Sequence, residues 1–178
     1  MSIEKRKQAE EVLFDLCRKC SATPVLEVLL DLRDLHNFYK LPVWLEDENG
    51  CNVFSGIVKN LASKPKKQSF SIVEANFLAS MLLWPELQEY ADSNSRLAIL
   101  YALENSSFHA IFATLAQHME FLSSVYVREP ATTHRSAALG KELEMIRRLI
   151  LKCGSGTESL VAENRRRVEE KKKENKDT

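Results

Sequence analysis

Apolar side chains recur along this chain at helical spacing. Val53, Phe54, Ile57, Val58 and Leu61 follow an i, i+1, i+4, i+5, i+8 pattern, and Phe108, Ile111, Phe112, Leu115, Met119, Leu122 and Tyr126 extend such a pattern over a longer span. At 3.6 residues per turn these spacings gather apolar groups on one face, whereas a half-buried strand needs strict alternation, which is scarcely found. Between those segments FLASMLLW (77–84) is apolar all round, as a helix covered on several sides must be. The pattern predicts helices over 3–20, 24–40, 51–63, 72–84, 95–105, 107–127, 136–153 and 158–175, with FLASMLLW at the centre of the core.

Local chemistry sets the boundaries. Ser71 and Glu74 stand at capping-box spacing: the serine oxygen accepts a free N–H and the glutamate reaches back, so a helix begins at Ile72. Pro85 has no N–H and clashes with the preceding turn, which ends or kinks that helix near Trp84 and restarts it through Pro85 to Tyr90. DSNS at 92–95 offers the next cap. Only 5 Gly and 5 Pro occur in 178 residues, too few for the many turns of a sandwich or barrel.

The expected fold is therefore all-α, an antiparallel helical bundle or a short HEAT/armadillo-like stack, because most of the links are short. The helix starts at Pro24 and Ile72 lie roughly one repeat apart on the ~40 to 47 residue scale of such stacks. Residues 1–153 read as one helical domain, and 154–178 as a flexible GSGT linker with a charged tail. Apolar residues almost vanish after Val161, while Glu163 with Arg167 and Glu169 with Lys173 stand at i, i+4. That composition predicts a solvated helix that frays at its end.

Charge refines the picture. Hydrophobic residues make up 44% and charged residues 28%, outside the regime of disorder. The 25 basic and 25 acidic side chains balance overall, but residues 21–134 hold 8 basic against 13 acidic and residues 135–178 hold 12 against 8. An acidic body with a mildly basic tail points to charged macromolecular partners. The opening MSIEKRKQAEEVLFDLC carries charges where an export signal needs an apolar stretch. The longest apolar run, LAILYAL (97–103), falls far short of the ~20 residues of a membrane span. An intracellular protein of the cytoplasm or nucleus, without a membrane span, is expected.

Catalytic chemistry finds little foothold. In CRKC (17–20) the cysteines follow a helical run, whereas a redox pair sits at a helix N-terminus, where the dipole lowers the thiol pKa. Zinc would need further ligands, and Cys51, Cys153, His36, His109, His118 and His134 are scattered. The stretch reads as a helix junction with reduced, packing cysteines. GSG at 154–156 lacks the Lys and Ser or Thr that hold nucleotide phosphates, and neither a GxSxG elbow nor a GxGxxG loop occurs. A Cys51–His109 pair assembled by the fold is the remaining enzymatic option. The expectation is a non-enzymatic protein with no cofactor and no metal.

Binding surfaces are better supported. Glu27, Asp31 and Asp34 share one helix face, and Glu46, Asp47 and Glu48 follow in the next loop, giving an acidic surface for a partner. Leu139, Leu143, Ile146, Ile150 and Cys153 form a stripe spaced four, three, four and three, close to a coiled-coil seam, with Arg147 and Arg148 outside it. Lys64, Lys66 and Lys67, and Arg165, Arg166 and Arg167 with Lys171, Lys172 and Lys173, suit an import signal or phosphate contact. Six carboxylates between Glu158 and Asp177 offset the tail cations, and no aromatic residue is interleaved to stack bases. These features suggest an adaptor or subunit of a larger complex with a protein partner. Nucleic-acid association through 64–67 and 165–173 is the alternative, and an enzyme with an unrecognised Cys/His site the third reading.

Overall fold

Helix accounts for most of the computed structural model, which describes residues 2–19, 27, 34, 72–84, 88, 93–104 and 108–177; no strand occurs among them. The helices are α1 (Ile3–Lys19), α2 (Ile72–Met81), α3 (Ser93–Leu103), α4 (Phe108–Arg128), α5 (His134–Leu151) and α6 (Thr157–Asp177). The segments expected to be helical at 24–40 and 51–63 lie outside the described residues, apart from Glu27 and Asp34, which occupy helical positions.

Helix ends follow from local bonding. α2 stops at Met81, three residues before the expected end. There the N–H groups of Leu82 and Leu83 donate to the carbonyls of Ala79 and Ser80 at 3.1 Å each, the i→i+3 tightening that closes a helix ahead of a proline. Past Pro85, the Gln88 N–H reaches the Trp84 carbonyl at 3.1 Å, so helical bonding resumes. α5 begins two residues earlier than its apolar stripe implied, because Thr133 caps it. Its extended backbone (φ −84°, ψ 153°) lets Oγ1 accept the Ser136 N–H at 3.0 Å. At the far end the Lys152 and Cys153 N–H groups bond to Leu149 and Ile150 carbonyls at 3.1 and 2.9 Å. Gly154 (φ 145°) and Gly156 (φ 92°) then take backbone conformations that other residues rarely adopt, carrying the chain into α6.

The chain divides into two compact units, one of residues 1–69 with 84–102 and the other of 70–83 with 103–178. In the first, Leu13 of α1 and Leu97, Ile99 and Leu100 of α3 are buried. In the second, α4 is central: α2, α5 and α6 all pack on it, and α5 also packs on α6. Ala75, Leu78, Ala79, Met81 and Leu82 are fully buried, in keeping with the apolar density of FLASMLLW. Ile111, Leu115, Met119 and Leu122 of α4 meet the same condition, and each side chain of that size contributes about 1.5 to 3 kcal/mol on full burial.

Directions within the second unit follow from its contacts. A Cβ on Gly140 of α5 would lie 3.4 Å from the Tyr126 ring of α4, while Arg148, late in α5, pairs with Glu104, just before α4. α5 thus runs antiparallel to α4. α6 turns back along α5: Arg147 bonds Asn164 and Lys172 reaches Ser136.

The charged tail departs from its expected solvated state. α6 lies on α4 and α5 through Thr157, Val161, Asn164, Val168, Lys172 and Asn175, spaced four, three, four, four and three. The first four are buried; Lys172 reaches the Glu129 carbonyl at 2.6 Å and Asn175 the Val127 carbonyl at 2.7 Å. Only two of the six are apolar, so hydropathy alone underrates a seam held largely by hydrogen bonds.

Candidate functional site

The most built-up polar region joins α4, α5 and α6. Asn164 is fully buried; its Nδ2 donates to Ser123 Oγ at 2.9 Å and to Glu120 Oε1 at 3.5 Å, and its Oδ1 accepts from Arg147 Nε at 3.0 Å. Ser123 Oγ in turn donates to the Met119 carbonyl at 2.7 Å. Arg147 is 5% exposed, and its Nη1 bonds Glu144 while Nη2 is buried without an acceptor among the described residues. A buried guanidinium costs several kcal/mol unless its donors are met, so these bonds fix α6 on the other two helices.

Glu144 receives both Arg147 and, at 3.1 Å, Arg165. Burial works to raise its carboxyl, but hydrogen bonds and charge from the two arginines outweigh burial and hold it below the ordinary carboxylate range. Farther along α6, hydrogen bonding from Arg166 lowers the Glu163 carboxyl, and Glu163 and Glu170 together raise Arg166 in return.

Beside this network lies a cleft of about 250 Å³ between α4 and α6. Glu120, Arg128, Arg167 and Lys171 supply its charge, Ser123, Ser124 and Asn164 its neutral polar groups, and Val127 and Val168 its apolar surface. Arg167 pairs with Glu120 at 2.8 Å, which balances the only carboxylate in the lining among the described residues. Arg128 donates through Nε to the Ser124 carbonyl at 3.1 Å. Neither Arg128 nor Lys171 has a carboxylate partner among the described residues. The lining is suited to holding an anion.

A second cleft, of about 490 Å³, is lined by His109, Phe112, Leu160 and residues 153–157. Its glycine-bearing turn precedes α6, yet the Gly156 N–H donates to Glu158 Oε2 at 3.0 Å and Thr157 Oγ1 to the Gly154 carbonyl at 2.8 Å. The chain's own carboxylate therefore takes a backbone donor that an incoming anion would need. Cys153 Sγ lies 3.5 Å from the Leu149 carbonyl, and burial pushes the thiol pKa up, away from a reactive thiolate.

The residues singled out from sequence fall differently. Glu27 and Asp34 are exposed helical positions, and Asp31 lies outside the described residues, as do Lys64, Lys66 and Lys67. Leu139, Leu143, Ile146 and Ile150 are all buried within the second unit, so their apolar surface is already covered by this chain. Met145, Leu149 and Arg147 are buried as well, which makes the covered face of α5 wider than a two-position seam. Arg165, Arg166 and Arg167 are engaged by Glu144, by Glu163 and Glu170, and by Glu120. Cys51 lies outside the described residues and His109 is exposed. Among the described residues no group of three or more His, Cys, Asp or Glu side chains could hold a metal ion, and no helix is long and apolar enough to cross a membrane.

Sequence reasoning missed the Arg147–Asn164–Ser123 network and the α4–α6 cleft. One signal for the first existed: Val161, Asn164 and Val168 are spaced three and four apart, a seam with an asparagine at its centre. No protein-family model, curated protein or solved structure matches the chain.

Proposed function

We propose that this chain is a non-enzymatic protein–protein interaction module, an adaptor or subunit of a larger intracellular complex, built as an antiparallel helical bundle or short HEAT-like stack. The supporting observation is the character of the α4–α6 cleft: small, of mixed polar and apolar lining, crossed by the exposed Arg167–Glu120 ion pair and set beside a buried hydrogen-bond network. Small-molecule sites are larger, mostly apolar concavities that bury most of their ligand. A charged, preorganised groove instead suits recognition of a complementary protein surface, where polar groups set orientation and encounter rate. The exposed acidic positions Glu27 and Asp34 offer a further charged surface of opposite sign.

Affinity co-purification of the tagged full chain from its own cells, with and without nuclease, tests the reading. A stoichiometric protein retained after nuclease is the expected result. Loss of every partner on nuclease replaces it with nucleic-acid association, and an empty eluate rejects it.

A further inference from the structure

We infer that the α4–α6 cleft is a docking site for an acidic peptide segment, in which Arg128 and Lys171 take the carboxylates of Asp or Glu side chains from a partner protein. The inference rests on the interaction reading above and names the partner's chemistry.

Charge carries the first step. Among the described residues three cations and one carboxylate line the cleft, and Arg167 already satisfies that carboxylate, Glu120. Two cations remain, neither with an acidic partner among the described residues. Glu163 and Glu170 do not quench them: both are turned to Arg166, and neither lines the cleft.

Geometry carries the second. Arg128 is the last residue of α4, and its Nε is tied to the Ser124 carbonyl, so the guanidinium is partly fixed, while Nη1 and Nη2 make no hydrogen bond among the described residues and can take a bidentate carboxylate. Lys171, on α6, supplies a mobile point charge on the facing helix. Val127 and Val168 give the methylenes of a Glu side chain an apolar surface to lie on. Because the Asn164 network fixes α6 against α4 and α5, the cleft exists before the partner arrives, which lowers the ordering cost of binding.

Size and lining favour a peptide over a nucleic-acid strand. About 250 Å³ accommodates one or two side chains, and no aromatic residue lines the cleft among the described residues to stack a base.

The test titrates a fluorescein-labelled glutamate-rich peptide with full-length protein by fluorescence anisotropy, beside the same peptide with glutamine for glutamate. The variants are Arg128→Gln/Lys171→Gln, Lys171→Gln alone, and Lys141→Gln/Lys173→Gln, which removes equal charge away from the cleft. The glutamate peptide is expected to bind and the glutamine peptide not to. The cleft pair should weaken binding about tenfold or more, Lys171→Gln alone about threefold, and the distant pair less than about twofold. Lys171 makes no hydrogen bond among the described residues, so that single change leaves the end of α4 intact should the double variant lose its fold.

No binding by the parent protein overturns the inference. So does equal weakening by the distant pair, or a single-stranded oligonucleotide that binds more tightly through the same two residues. Co-purification with Arg128→Gln/Lys171→Gln separates this failure from that of the broader reading: a partner held equally by parent and variant removes the cleft but keeps the interaction module. Absence of any stoichiometric protein partner rejects the module.

Discussion

Arg147 of α5 donates from Nε to Asn164 Oδ1 of α6 at 3.0 Å, and both side chains are buried. The asparagine is the hub, because the same amide also reaches Ser123 and Glu120 on α4. Removing it strips an acceptor from a buried charged donor. Asn164→Ala is expected to cost about 2 to 3 kcal/mol of unfolding free energy, with the cost rising if Arg147 keeps its charge in the dry interior. Replacing both partners together, as Arg147→Met with Asn164→Leu, should cost clearly less than the sum of the single changes, since no orphaned charge is left. Urea unfolding of the four proteins in a double-mutant cycle measures this coupling. Additive effects would show that the bond holds nothing together.

That network also marks where sequence pattern ends. The apolar runs of α4 and the all-round density of FLASMLLW announced helices and core, because burial of Leu115 or Leu78 is written in hydropathy at helical spacing. α6 was different: its seam offers Thr, Val, Asn, Val, Lys and Asn, and a pattern search for apolar positions sees a solvated tail. Whether Asn164 is a surface amide or a buried hub depends on Ser123 and Arg147, which lie 41 and 17 residues away. Likewise, nothing in the Leu139 to Ile150 stripe says whether its cover comes from this chain or another. The α4–α6 cleft joins Arg128 to Lys171 across two turns of chain, and only the folded arrangement of the helices brings their charges together.

The start of α5 depends on one hydroxyl. Thr133 Oγ1 accepts the Ser136 N–H, and the residue holds extended geometry just before the first helical position. Thr133→Ala should cost about 1 kcal/mol, whereas Thr133→Ser, which keeps the oxygen, should cost only a few tenths. Thermal unfolding of the three proteins side by side reads the difference. Equal loss in both variants would place the effect in the methyl group.

The turn between α5 and α6 separates strain from crowding. Gly156 has φ 92° with nothing within 4 Å of an added Cβ, so Gly156→Ala tests backbone strain alone, about 1 to 2 kcal/mol. Gly154, at φ 145°, would also bring its Cβ to 3.3 Å from His109 Cε1. Gly154→Ala should therefore be the more costly of the two. Adding His109→Ala should recover the steric part and leave the conformational part, an outcome visible in denaturant midpoints. Full recovery in that double variant would rule out strain at this position.

The lowered Glu144 and Glu163 carboxyls give the stability a definite pH sense. A carboxyl whose folded pKa lies below its unfolded value, 4.5 here, binds protons more readily in the unfolded chain, so protonation favours unfolding. The contribution is complete above that value and is lost as pH falls through the lower folded values. Glu144 faces Arg147 and Arg165, while Glu163 faces Arg166 and Arg167, so acid weakens both the α5–α6 junction and the exposed ladder along α6. Unfolding midpoints taken from about pH 7 down to about pH 3 should fall, and Glu144→Gln should lower the midpoint at neutral pH while flattening the acid-side slope. Added salt should reduce the part owed to Glu163, whose partners Arg166 and Arg167 are exposed, and the Arg165 share of Glu144, and should affect less the share that comes from the buried Arg147. A slope unchanged in Glu144→Gln would mean that other carboxylates carry the acid sensitivity.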